Sequence, residues 1–397
     1  MTLTAPDRPV GAARRWWMLA ASTVAQAATA VMIHGPAFLI PALHHEGMSL
    51  AAAGAVAAAP TVGVMLTLVA WGAVSDRRGE RYVLLTGLAL TVVAGVAAAL
   101  TSGTALLVVT LVLAGAAAAS TNSASGRVVV GWFPPERRGL AMGVRQMAQP
   151  SGVGIAALTI AVAAEHVGVH AALWVPTIAC AAGALLVAAV VIDPPRPPAR
   201  ERTTAANPYR GDTFLARVHA VSVLLVVPQF LVWTFALVWL VQDRHWEPAA
   251  AGAVVAVAQL AGALGRIAVG HLSDLVGGRM RPLRWVALAA AGTMALLGLA
   301  AALDLSVAVL LVVVATLVTV ADNGLAFTAV AERAGPFWSG RALGVQNTAQ
   351  FLTASLVPPL AGLTVAHLGY AAAFGLAALF PVLAAPLVPV AAERALS

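Results

Sequence analysis

Lysine is missing altogether from this chain of 397 residues, so all 23 basic residues are arginine. With alanine so abundant, that absence reads as the codon bias of a GC-rich genome and carries no chemistry of its own. Charge of either sign is scarce as well. Only 10% of residues are charged and 60% are hydrophobic, against about a quarter charged in an average soluble protein. Too little polar surface remains to cover a water-soluble fold. The single cysteine, Cys180, lies in an apolar run, which excludes an internal disulfide and a cysteine-based metal cage.

Other absences narrow the function. The net charge is +7, but the arginines sit in short gaps between apolar runs rather than in a basic stripe with stacking aromatics, which argues against a nucleic-acid partner. No gap pairs histidine with acidic residues at metal spacing, and none holds a glycine-rich phosphate loop. His44, His45, His166 and His170 fall in outward gaps with no ligand spacing. A membrane enzyme therefore lacks a catalytic constellation, and a sensor lacks room for a soluble output domain. No metal or cofactor is expected.

What is present is a series of apolar runs, each long enough to cross a hydrocarbon core of about 30 Å as a helix. Twelve candidates follow one another: 16–42, 50–73, 82–101, 104–132, 139–163, 170–192, 216–241, 249–272, 282–303, 305–332, 339–365 and 368–391. The first run follows Arg14 and Arg15 as a signal peptide would, but it continues to Leu43 and reads as an uncleaved span. The longest gap, DPPRPPARERTTAANPYRGDTFL at 193–215, is rich in proline and charge and reads as a linker. The expected class is an all-α polytopic membrane protein with domains at 1–192 and 216–397 joined by that linker.

Arginine places the sides of the membrane. The N-terminus (Arg8, Arg14, Arg15), Arg77, Arg78, Arg81, Arg137, Arg138, the linker (Arg196, Arg200, Arg202, Arg210, Arg217), Arg279, Arg281, Arg284, Arg333, Arg341 and Arg394 share one side, and only Arg244 is on the other. Both termini and the linker are then cytoplasmic.

The halves repeat. GAVSDRRGER (72–81) matches GHLSDLVGGR (270–279) at Gly, Ser, Asp, Gly and Arg, an offset of 198. RGLAMGVRQMAQ (138–149) matches SGRALGVQNTAQ (339–350) at an offset of 201, which also sets Asn122 on Asn323. Parallel repeats of this kind are a transporter architecture, with the solute site near the bilayer midplane between the halves.

These motifs, the WFPPERRG turn at 132–139 and the plan of six spans, linker and six spans resemble the major facilitator superfamily over essentially the whole chain. The resemblance implies two pseudosymmetric six-helix bundles rocking about a cavity lined by spans 1, 4, 7 and 10. It also implies coupling to a proton or solute gradient rather than to ATP. By resemblance, Asp76 faces the start of span 11 near Gly340, and Asp274 faces the start of span 5 near Gly139. A helix N-terminus favours such a carboxylate by about 0.3–2 kcal/mol. Gly72, Asp76, Arg77, Gly79 and Arg81, with Gly270, Asp274, Gly139 and Gly340, are then the expected conformational latch. Arg77, Arg78 and Arg81 are equally explained as topogenic charges. The drug-antiporter pattern GxxxGPxxGG is altered here, with Gln149 before Pro150.

Ionisable groups inside the membrane are costly and point to function. Asp322 lies ten residues before Glu332, about 15 Å inside the cytoplasmic end at 1.5 Å per residue, and is the candidate for proton or cation handling. Arg127 and Arg145 either snorkel to water, bind a solute carboxylate as a fork, or neutralise Asp322. Arg266 reads as interfacial. Gln26 and His34 share a face of span 1 and can look into the cavity; His34 could titrate or simply hydrogen-bond. Asn122, Gln149, Asn323, Gln346 and Gln350 are pathway candidates or interhelical glue. Gln229 and Trp233 share a face of span 7, where Trp233 could stack on a ligand or pack. Trp16, Trp17, Trp132, Trp246 and Trp338 suit an aromatic belt.

The expected function is proton-coupled transport of a small organic solute, more fitting for an anion, by a monomer in the cytoplasmic membrane. Efflux of a lipophilic cation by proton antiport is the alternative.

Overall fold

The computed structural model describes residues 11–194 and 206–393. Arg8, Arg196, Arg200, Arg202 and Arg394 of the charge count, with most of the linker, lie outside the described residues. Among those residues eleven helices are long and apolar enough to cross a membrane. They are α1 (Ala12–His45), α2 (Leu50–Arg78), α3 (Glu80–Leu100), α4 (Thr104–Trp132), α5 (Pro135–Val167) and α6 (Val169–Val190) in the first half. The second half holds α7 (Phe214–Gln242), α8 (Pro248–Val276), α9 (Met280–Ala302), α10 (Val307–Ala334) and a run of 54 residues, Ser339–Ala392. Gly369, at φ 82°, breaks that run, and glycine alone enters this left-handed region without a steric penalty. Two spans result, α11 (339–368) and α12 (370–392), so the count is twelve.

Caps and breaks follow from local chemistry. The Ser49 hydroxyl accepts the Ala52 N–H at the start of α2, and the Glu247 carboxylate accepts that of Ala250 at the start of α8. Proline at 36 and 41 turns α1 into a 3-10 segment at Gly35–Leu39 before its last turn, Ile40–His45. In α5 the helix Pro135–Gln146 stops at Met147 and resumes as Ala148–Val167. In α10 the helix Val307–Val318 stops, and a second begins at Asp322. Asp, Asn and Gly at 322–324 are poor interior helix formers, and an acid suits a helix start.

Spatially, the described residues fall into two compact units. One takes its residues up to Phe133, Met147–Ala206 and Ala334–Thr348; the other takes Pro134–Gln146, Asn207–Arg333 and the residues from Ala349 onward. Each half of the sequence thus lends the start of one helix, α5 or α11, to the unit built mainly by the other half. The first unit packs around Val31, Leu39, Leu111 and Ile160, and around Leu84, Leu88, Cys180 and Val187. The second packs around Trp239, Met294 and Phe374, with Trp239 and Phe374 edge to face. Large side chains such as Leu66, Leu158, Leu185 and Leu260 stay exposed, the outward apolar face of a protein solvated by lipid. Trp132 departs from the aromatic-belt expectation: it is buried, its indole N–H donating to the Ile192 carbonyl at 3.1 Å, because the chain after α6 folds over it.

Candidate functional site

In the first unit Asp76, at the end of α2, is buried against the start of α11. Its Oδ1 accepts the Gly340 N–H at 2.8 Å, and its Oδ2 accepts the Arg341 N–H at 3.1 Å and Nε–H at 2.9 Å. The backbones must touch for this. A Cβ on Gly72 would stand 2.2 Å from the Gly340 carbonyl oxygen, and one on Gly340 would stand 2.4 Å from that of Gly72. Arg127 completes the cluster from α4, donating to Asp76 at 2.8 Å and to Glu80 at 2.6 Å, with all three side chains at most 5% exposed. Expected on the solute pathway or snorkelling to water, Arg127 instead sits in this ion cluster. Asp76 lies near the end of α2 and Glu80 opens α3, and the turn between the two helices at Gly79 brings both carboxylates to one guanidinium.

The second unit repeats the arrangement. Asp274 Oδ1 accepts the Gly139 N–H at 2.9 Å and Oδ2 that of Leu140 at 2.8 Å. A Cβ on Gly139 would meet the Gly270 carbonyl oxygen at 2.2 Å, and one on Gly270 would meet that of Gly139 at the same distance. Here the cation comes from the motif's own last residue. Buried Arg279 holds Asp274 at 2.5 Å, the Pro135 carbonyl at 2.6 Å and Glu332 at 3.4 Å. Its counterpart Arg81 turns away to the Ala188 carbonyl, and Arg77 is exposed. Gly79, at φ 111°, leaves room for Asp193, which accepts the Arg81 N–H at 2.8 Å. Glu393 does the same for Arg279 and Met280 in the second unit.

Deeper, two amide pairs recur. Gln26 Nε2 donates to Asn122 Oδ1 at 3.2 Å between α1 and α4, and Asn323 Nδ2 donates to Gln229 Oε1 at 3.1 Å between α10 and α7. Gln350 adds a bond to Asn323 at 3.0 Å, whereas Gln149, its counterpart, lies 3.1 Å from the His34 ring nitrogen. Trp233 donates to Gln259 at 2.7 Å and packs edge-on to Phe230. Gln346 is fully buried in the first unit.

Charge enters this depth in the second unit. Asp322 is 1% exposed at the start of the lower half of α10, and neither carboxylate oxygen accepts a hydrogen bond of good geometry. The groups acting on it electrostatically are the Arg266 guanidinium and the N–H groups of Asp322 and Asn323. Arg266, 5% exposed, is thus not interfacial. Arg145, 1% exposed, lies over the Phe327 ring of α10 at 5.5 Å and donates to Gln146 Oε1 at 2.9 Å. Gly143 seats α5 against the Arg266 carbonyl, where a Cβ would stand at 2.6 Å.

The first unit holds the same backbone contact with neutral side chains. Gly344 seats α11 against the Leu68 carbonyl, where a Cβ would stand at 2.7 Å. At the repeat offsets of 198 and 201, Leu68 stands for Arg266, Thr121 for Asp322 and Gln346 for Arg145. Thr121 pairs with the Thr29 hydroxyl at 2.7 Å. The packing therefore does not require charge at these positions, and the three charges are additions to it.

Helices broken at membrane depth beside buried charge, on a duplicated six-span plan, define a solute carrier. A family model described as Major Facilitator Superfamily matches residues 19–358, and the chain belongs to that superfamily. Twelve transmembrane helices in two pseudosymmetric six-helix bundles are its fold, and its members are transporters rather than enzymes. The chain is 46% identical over 388 residues to an uncharacterized MFS-type transporter of Mycobacterium tuberculosis, covering 96% of this chain and 86% of that one. Among solved structures it is similar to the proton:xylose symporter XylE, with a TM-score of 0.74, 16% identity and 98% of each chain covered. It is also similar to the human organic anion transporter TETRAN, with a TM-score of 0.72, 15% identity and 94% and 99% coverage. The E. coli fucose:proton symporter FucP gives 0.75, 14%, 95% and 98%. At such identities the likeness is one of fold.

Proposed function

We propose that this carrier moves a small organic anion together with a proton across the cytoplasmic membrane by alternating access. The observation that supports it is the set of Arg145, Arg266 and Asp322 in the second unit, where the matched positions of the first unit carry neutral residues. The Arg266 cation acts on one carboxylate that can take a proton, and Arg145 adds a second cation from α5. With Asp322 protonated the charge of Arg266 is no longer offset by it, and a solute carboxylate is attracted into a medium of low dielectric, where charge pairing is strong. With Asp322 ionised Arg266 is partly neutralised and the solute leaves. Proton and anion then travel in the same direction.

Repeats 1–192 and 216–397, joined by the cytoplasmic linker 193–215, act as the moving parts. The Asp76 and Asp274 clusters form in one conformation and break in the other. The amide pairs Gln26–Asn122 and Gln229–Asn323, with His34, Gln149, Gln346, Gln350 and Trp233, line or brace the path. The proton gradient serves in place of a bound cofactor, the protein works as a monomer with both termini cytoplasmic, and nucleic acid plays no part. Antiport of a lipophilic cation is the second reading; it would use Asp322 alone, and the two arginines count against it.

The test is uptake of a panel of radiolabelled mono- and dicarboxylates into proteoliposomes under an imposed pH gradient. Wild type should accumulate a carboxylate only with the gradient, and Asp322→Asn should exchange it without accumulation. Gradient-driven accumulation by Asp322→Asn at the wild-type rate would remove the proton assignment. Transport of organic cations alone would favour the second reading.

A further inference from the structure

Pro150 has no N–H, so the carbonyl of Gln146, four residues earlier, has lost the donor that a continuous α5 would supply. The helix stops there, at Met147, and the vacant acceptor is part-buried. Arg266 of α8 fills it, with Nη1 donating to the Gln146 carbonyl at 2.7 Å. Through Nε the same guanidinium reaches the Val320 carbonyl at 3.3 Å, in the turn that interrupts α10 just before Asp322. One planar fork thus spans two interrupted helices.

We infer that Arg266 is a positioning residue, a strut that holds the break in α5 against the break in α10 and so fixes the backbone beside Asp322. An unsatisfied carbonyl in a buried, water-poor setting is costly, and arginine can satisfy two acceptors at fixed separation because its donors lie in one rigid plane. Lysine has the charge but is a point donor. The charged side chains that reach this region are Arg266 from α8 and Arg145 from α5, while α7 and α11 bring the neutral Gln229 and Gln350. Among the described residues the strut has no equivalent at the matched helix pair, α11 with α2. There Leu68 replaces the arginine, Phe351 replaces Pro150 at the repeat offset, and α11 runs on as a helix past 348. Arginine and proline are present together in one copy of the repeated helix pair, α5 with α8, and absent together from the other, α11 with α2.

The inference does not rest on the choice of solute, and its test uses none. Four full-length proteins are purified in detergent: wild type, Pro150→Ala, Arg266→Met and the double variant. Melting and amide hydrogen exchange are recorded for each. Arg266→Met should lower the melting midpoint by several degrees and speed exchange at least tenfold in two separate segments, 146–152 and 319–324. In the double variant the restored N–H of residue 150 returns to the Gln146 carbonyl. Exchange in 146–152 should then recover toward the wild-type rate while 319–324 stays fast, and at least a third of the lost midpoint should return. Arg266→Lys, the milder change, should protect one segment and not both. Equal losses from Arg266→Met with and without Pro150, or acceleration spread evenly over α8, would overturn the strut. Failure of carboxylate uptake alone would leave it intact.

Discussion

The Asp76 carboxylate accepts the backbone N–H of Gly340 at 2.8 Å, joining residues 264 apart in the sequence. Asp274 and Gly139 make the same contact in the other unit. What differs is the cation: Arg127 and Arg341 come to Asp76 from α4 and α11, whereas Arg279 comes to Asp274 from its own loop. Duplication kept the helix-start geometry and let each copy find its own counter-charge.

The backbone contact sets the first expectation. Alanine at Gly340 or Gly139 places a methyl within about 2.5 Å of a carbonyl oxygen that belongs to a helix and cannot swing aside. Each substitution should cost roughly 1–3 kcal/mol, the usual range for forced overpacking, and should detach the carboxylate. Gly292, which has nothing within 4 Å of a built Cβ, is the control. Melting of the purified variants should fall for the first two and hold for the third. A Gly340→Ala protein as stable as wild type would mean the helices are not in contact there.

Arg127 offers a sharper case. Its removal takes from buried Glu80 the cation 2.6 Å away and from buried Asp76 one of two, since Arg341 remains. Breaking a buried pair on one side typically costs about 3–5 kcal/mol. Arg127→Met should therefore be severely destabilised, and adding Glu80→Gln should recover a substantial part, because the buried carboxylate that depended most on Arg127 is then neutral. The thermal midpoints of the single and double variants decide it. No recovery in the double variant would show that Arg127 acts by packing rather than charge.

Much of this architecture is legible in the sequence, for definite reasons. Apolar runs of membrane length, the proline-rich gap and the paired motifs at offsets of 198 and 201 locate the spans and mark Asp76, Asp274, Gly139 and Gly340. A helix end that needs an anion leaves a trace in local residue types. Arg127 is harder to place because its partners, Asp76 and Glu80, lie on two other spans, and a lone arginine near a helix end also suits snorkelling. Arg266 suits an interfacial position in the sequence for the same cause. The trace that could have exposed it was Pro150, whose missing N–H announces an acceptor in need of a donor. Asp193 and Glu393 carry no motif at all, and only the closure of the chain after α6 and α12 brings them to their loops.

Arg145 can be tested without disturbing the packing, because the other unit shows what a neutral version holds. Gln346 occupies the matched position and is fully buried. Arg145→Gln should fold with a melting midpoint within a few degrees of wild type. It loses a charge-assisted contact to a carboxylate, an interaction of about 1.5–3 kcal/mol, so uptake of the transported carboxylate should drop roughly 10- to 100-fold, mostly through weaker apparent affinity. Unchanged uptake in proteoliposomes would take Arg145 off the solute path.

The acids that follow α6 and α12 act at the opposite end of the scale. Asp193 accepts the Arg81 N–H at 2.8 Å, and Glu393 accepts the N–H groups of Arg279 and Met280, so each ties the end of a bundle to the first turn of α3 or α9. Both acids are partly exposed, and solvent screening keeps such contacts modest. Asp193→Ala and Glu393→Ala should each cost about 0.5–1.5 kcal/mol, the ordinary net value of a hydrogen bond. Because they lie in separate units and share no partner, the double variant should lose the sum to within about 0.5 kcal/mol. A loss well beyond the sum, measured by denaturant or thermal melting, would mean that the two ends are energetically linked, and the picture of two independently anchored loops would then have to go.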